Sequence, residues 1–143
     1  MTTWLDELAQ YLEDSTTSIG VFSPSSTQTR DIYIQNAPSV LTSYIVLYPY
    51  AGMKSSWTMN RDVIQNPRMN VLVVSTASDG GHQKSIDIRT RLDHVNHTGL
   101  PSSTIARTYL LIESLGEPEY LGKDANGRGQ FVQNFQIQYY NTT

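Results

Sequence analysis

The stretch Phe131-Val132-Gln133-Asn134-Phe135-Gln136-Ile137-Gln138-Tyr139 decides the fold class. Phe131, Phe135, Ile137 and Tyr139 fall on one side of an extended chain, with Asn134, Gln136 and Gln138 on the other. That is the period of two expected of a strand with one buried face. Asp124, Asn126, Gly127 and Gly129 stand before it and read as a turn. Upstream, residues 109–115 are apolar on both sides, Tyr109 and Leu111 opposing Leu110 and Ile112. Joined through residues 116–128, the two segments predict a long antiparallel C-terminal β-hairpin.

Farther toward the N-terminus the pattern repeats. Residues 69–75 set Val71 and Val73 against Leu72 and Val74, and residues 43–50 set Tyr44, Val46, Tyr48 and Tyr50 against Ile45 and Leu47. Such strands belong in the middle of a sheet, because both faces need cover. A short strand is expected at residues 32–34. Two helices accompany them. Thr3 with Asp6 three residues on is an N-cap signature, and Trp4, Leu8, Tyr11 and Leu12 recur at helical spacing as far as Asp14. Glu7, Glu13 and Asp14 lie off that stripe and are expected on a solvated face. The second helix runs from a cap at Ser78 or Asp79 to about Asn96, with Ile88, Leu92 and Val95 as its apolar stripe and Gly99 and Pro101 as its stop. The expectation is an α+β fold: a mostly antiparallel four- to five-stranded sheet with two helices packed on it, long loops and the closing hairpin.

At 143 residues the chain suits one domain spanning 1–143. Ser, Thr, Asn and Gln fill 47 positions while charged residues make up 16%, so the surface is polar but weakly charged, which argues against charge-driven disorder. The absence of cysteine removes thiolate metal sites, cysteine nucleophiles and disulfides, and fits a reducing compartment. Neither a membrane span nor a signal peptide is read. The net charge of −3 is uneven, −4 over residues 1–14, +3 over 51–91 and −2 over 92–143. That is too sparse a basic cluster for autonomous nucleic-acid binding.

Chemistry finds little footing. His82, His94 and His97 lack the i, i+4 pair with adjacent Glu of zinc proteases and read as solvated. Asp124, Asn126 and Gly127 echo the start of a calcium loop, but its twelfth ligand would fall on Phe135. Glu113, Glu117 and Glu119 lie about a bend, where edge-strand charge suits them better than acid–base work. No phosphate loop or nucleophile elbow is present, so no enzyme activity and no cofactor or metal are expected.

The packing balance is more informative. Two helices cover one sheet face, while three strands are written for burial on both, so another subunit or the loops must cover the second face. Residues 51–62 read as a loop carrying Met53, Trp57 and Met59; they either anchor in a partner or tuck into the chain's own core. A small-ligand or carbohydrate-binding module stacking on Trp57 and Tyr44, Tyr48 and Tyr50 is the rival reading.

One likeness sharpens this. The segment from Tyr120 through Gly122, Lys123, Asp124, Gly127, Arg128 and Gly129 to Phe131, running into Asn134, Phe135 and Ile137, resembles the closing hairpin of the phage minor capsid and tail-terminator family. The Trp4-to-Glu13 helix and the Asn66-Pro67-Arg68-Met69 strand entry add to it. The resemblance implies a non-enzymatic virion assembly protein of long-tailed phages: a subunit of a hexameric ring at the head–tail junction that caps the tail tube, halts its growth and docks to the head connector, or another neck ring. Its partners would be copies of itself, the tube protein and the connector, with loose contact to passing DNA and none to membrane; it would occupy the virion and, during assembly, the host cytoplasm. On that reading Met53, Trp57 and Met59 are candidates for neighbour or tube contacts. Arg61, Arg68, Lys123 and Arg128 are candidates for the passage or rim, or else plain solubilising charge.

Overall fold

A computed structural model describes residues 3–13, 20, 22, 30–36, 43–57, 63–76, 80–93, 96–99 and 107–141; at 51, 53, 54, 56, 57 and 96–99 the backbone alone is described. The first helix, α1 (Trp4–Glu13), starts where its cap dictates. Thr3 N–H donates to Asp6 Oδ2 at 2.9 Å and Asp6 N–H returns a bond to Thr3 Oγ1 at 3.3 Å. Its buried face is Leu5, Leu8, Ala9 and Leu12, whereas Trp4 and Tyr11 flank the core half-buried. Glu7 is also buried, at 1% exposure, which overturns its expected place on the solvated face.

Among the described residues seven strands follow in one sheet: β1 (Ile32–Ile34), β2 (Tyr44–Trp57), β3 (Val63–Ser75), β4 (Asn96–Gly99), β5 (Arg107–Ser114), β6 (Glu119–Lys123) and β7 (Gly129–Asn141). The second helix, α2 (Gly80–Leu92), sits between β3 and β4. The spatial order is β1-β2-β3-β7-β5-β4, with β6 alongside β7, and only the β1–β2 pair is parallel. The fold is therefore α+β, as its sequence indicates, with two short strands beyond those expected.

β5 and β6 run along the same edge of β7, one after the other, so the predicted hairpin is present with a strand inside its connection. The segment 51–62 is not all loop: β2 continues to Trp57 and β3 begins at Val63. Gly52 makes this possible, because a Cβ there would collide with the Asn66 carbonyl where β2 shifts register between Tyr50 and Met53. Pro67 has no N–H to give to the ladder, and its carbonyl accepts from Gln136 Nε2 at 3.2 Å. α2 stops four residues early. Asp93 accepts bonds from Ser114 N–H at 2.8 Å and Ser114 Oγ at 3.0 Å, turning the chain toward the sheet edge, where Asn96–Gly99 pairs with β5. Val95, expected on the helix stripe, lies outside the described residues.

Both helices pack on one face. The core joins Leu5, Leu8, Ala9 and Leu12 of α1 and Ile88 and Leu92 of α2 to Ile45, Leu47, Met69, Val71, Val73, Phe135 and Ile137. β5 contributes both Tyr109 and Ile112, three residues apart. Strict alternation would separate them, but the ladder pairs Tyr109 with Tyr139 and Leu111 with Gln138, so Leu110 is an extra residue and the phase flips. Leu111 is thereby turned out, at 38% exposure.

The helix-free face bears on the choice between loop and subunit cover. Val46 and Val74 there are each 1% exposed, beside half-buried Tyr44 and Tyr48. At these two positions the central strands are covered within the chain, while Leu72 beside them is half-buried. Among the described residues, the exposed large apolar side chains are instead Leu111, Leu115, Tyr120 and Leu121, all on or beside β5 and β6.

Candidate assembly surfaces

The β5–β6 edge is a positioned surface. Arg89 on α2 reaches Glu117 Oε2 at 2.6 Å, donates to Ser114 Oγ at 3.2 Å and lies 3.5 Å from Asp93, tying the bend between the two strands to the helix. The hydrogen bond from Arg89 to Glu117 is the chief reason its guanidinium holds its proton above the ordinary range. Gln133 Nε2 donates to the Gly116 carbonyl from the sheet side. On β6, Tyr120 stacks against Phe131, centroids 5.1 Å apart, and Phe131 meets the His82 ring at 5.4 Å. Leu115, Tyr120 and Leu121 nevertheless remain 46%, 54% and 53% exposed.

The second surface is the helix-free face. Arg68 Nε donates to Gln136 Oε1 at 2.9 Å, in register across β3 and β7. Arg128 is buried, 2.7 Å from Asp124 and stacked 5.3 Å over the Tyr44 ring. Asp124 accepts from the backbone N–H groups of Arg128 and Asn126 at 2.9 Å each, and Gly127 adopts φ 76°. The residues that echoed a calcium loop therefore form a turn. The Arg128 N–H, seconded by its guanidinium, holds the Asp124 carboxyl below the ordinary carboxylate value.

Of the candidates from sequence, Arg68 and Arg128 share this helix-free face, each already bonded within the chain. Lys123 sits at the end of β6 opposite Gly129, beside the Tyr120–Phe131 stack on the helix side. Met53 and Trp57 lie on β2, their backbones opposite Asn66 and Val63. Met59 and Arg61 fall outside the described residues. Tyr44, Tyr48 and Tyr50 are half-buried on the sheet rather than displayed for stacking. His82 is exposed, and among the described residues no cluster of His, Asp and Glu could hold a metal ion.

Sequence reasoning missed one constellation. Glu7 Oε1 accepts from Tyr109 Oη at 2.7 Å and pairs with Arg107 Nη1 at 3.2 Å, and Tyr139 packs against Tyr109 with ring centroids 5.7 Å apart. Burial, reinforced by the Glu7 carboxylate, drives the Tyr109 phenol well above its ordinary value. The signal available was Glu7 standing between Leu5 and Leu8, one turn ahead of Tyr11 on an apolar helix. Nothing local named its partner, which is a hundred residues away.

A family model described as "Bacteriophage tail terminator protein" matches residues 15–141. The chain belongs to the bacteriophage tail terminator family. It is a structural component of phage tail assembly, a constituent of the virion that meets other virion proteins. The hairpin and the β3 entry that carried the resemblance lie inside the matched region, while α1 precedes it. No curated protein matches. One solved structure, 13% identical, aligns over 96% of this chain and 89% of its own with a TM-score of 0.40, too distant for its geometry to be carried over.

Proposed function

We propose that this terminator, acting as one domain over residues 1–143, forms a homo-oligomeric ring, a hexamer, at the head–tail junction. The ring caps the tail tube, stops its polymerisation and docks to the head connector; it works by contact and not by catalysis. Membership of the terminator family, over residues 15–141, is the observation that carries this reading. An open edge bearing Leu115, Tyr120 and Leu121 supports it, since a terminator needs surfaces that stay unfilled until a neighbour arrives. Met53, Trp57 and Met59 serve neighbour or tube contacts. Arg61, Arg68 and Lys123 serve the passage or its rim, where passing DNA is held without sequence preference, while Arg128, buried against Asp124, braces the turn beside it. Assembly takes place in the host cytoplasm.

The test is removal of the chain from cells producing the phage. Tubes are then expected to overrun their normal length and fail to join heads. Tubes of normal length joined to filled heads would overturn the proposal.

A further inference from the structure

Among the described residues the strand order ends on β1 and β4, each paired on one side alone, and two longer stretches also lack a neighbour on one side. One is β6, which bonds to β7 on one side alone. The other is β2 beyond Leu47: β1 pairs only with Ile45, Val46 and Leu47, so from Tyr48 to Trp57 this strand pairs with β3 alone. β3 and β7 separate the two edges, which therefore lie on opposite sides of the molecule and at opposite ends of its strands.

We infer that the β6 edge of one copy adds to the free stretch of β2 on the next copy, so that the sheet runs on from subunit to subunit. This rests on the ring reading above and names the surfaces that close it. Three observations carry it. First, the exposed apolar side chains gather at β6. Between Glu119 and Lys123 this edge strand displays Tyr120 and Leu121 at 54% and 53% exposure, an apolar template for another strand. Second, opposite charges are available to the two strands: β6 carries an exposed Glu119, and the free stretch of β2 carries Lys54. Third, β6 is already held in place: Arg89, Asp93 and Ser114 secure the bend before it, so little ordering is left for the moment of contact.

The geometry has a consequence for closure. Two different edges meeting make a heterologous contact, which closes by rotation. Because the edges sit at diagonal corners, successive copies step along the strand direction, and the strands must tilt against the ring axis as they do in any closed sheet.

The chain has no cysteine, so thiols introduced by Leu121→Cys and Ser55→Cys are the only ones in it. Both sites are exposed, and Ser55 lies on the free stretch of β2. Tails carrying the double variant are treated with a short bis-maleimide and imaged. A ladder of covalent multimers, absent from either single variant, is expected. A closed array of the chain without the ladder would overturn the edge pairing and leave the ring reading standing. A thiol at position 121 that is shielded from reagent within such an array, yet gives no ladder, would assign β6 to a tube or connector subunit instead and equally overturn the pairing. Tails with no array of this chain would overturn both. A charge exchange adds an independent reading: Glu119→Lys and Lys54→Glu should each lower the yield of finished tails about tenfold, and the two together should restore it. Failure of the pair to restore would reject the contact even where each single variant folds as the parent does.

Discussion

Leu12 on α1 and Leu121 on β6 are the same residue type with opposite fates: the first is 0% exposed and the second 53%. The helix-covered face is finished within one chain. Its interior even takes in a carboxylate, because Tyr109 and Arg107 of β5 answer Glu7 on the same face of the sheet. The β5–β6 edge is equally well positioned, through Arg89, Asp93 and Ser114, yet its leucines and Tyr120 are left uncovered. Order without cover separates an assembly surface from a folding core. The first must be in place before its partner comes, whereas the second needs no partner.

Three substitutions sharpen or break that contrast. The largest effect is expected of Glu7→Ala, which leaves Arg107 facing a cavity inside the finished half. Unfolding in urea should show a loss of about 3–5 kcal/mol, as for other buried pairs deprived of one member. A loss below about 1 kcal/mol would mean that the constellation is dispensable.

Tyr109→Phe should cost about 1 kcal/mol at neutral pH by removing one buried hydrogen bond. It also changes the alkaline limb. The Tyr109 phenol in the folded chain holds its proton above the ordinary value of 10.0, so in alkali the unfolded chain releases that proton first. The contribution is complete below about pH 10 and declines as pH climbs beyond it. Urea titrations above about pH 10 should therefore fall more steeply for the parent than for Tyr109→Phe; parallel curves would contradict the burial of this phenol.

The smallest stability effect belongs to the open edge. Leu121→Ser should move the unfolding free energy by no more than about 0.5 kcal/mol, as substitutions of exposed residues do. The same variant should nonetheless lower the yield of finished tails. Were it to unfold the chain as Glu7→Ala does, β6 would be core and the contrast would collapse.

Much of the scaffold is legible locally. Thr3 and Asp6 announce α1, the alternation from Phe131 to Tyr139 announces β7, and the apolar runs at Val71–Val74 and Tyr44–Leu47 announce the central strands. The misreadings share one cause. Residues 51–57 read as a loop because Gly52 and small polar residues weaken strand propensity, but pairing with β3 and the close crossing at Asn66 hold them extended. The apolar excess falls by pattern on Val46 and Val74, which neighbours on the same chain bury, while the bulge at Leu110 turns Leu111 outward. Of the candidate site, the positions of Arg68 and Arg128 on one face follow from strand parity, but their bonds to Gln136 and Asp124 require the assembled sheet.

By itself, then, the amino-acid order determined the caps, the strand and helix periods, the closing hairpin and the lack of thiol chemistry. Each of these depends on residues a few positions apart, within reach of one turn or one pleat. Only the tertiary structure decided that Glu7 is buried, that β5 changes phase and that β6 is left as an apolar edge. Those outcomes depend on which distant segment arrives alongside: a charge can be buried only where its partner waits, and a strand is an edge only when no other strand reaches it.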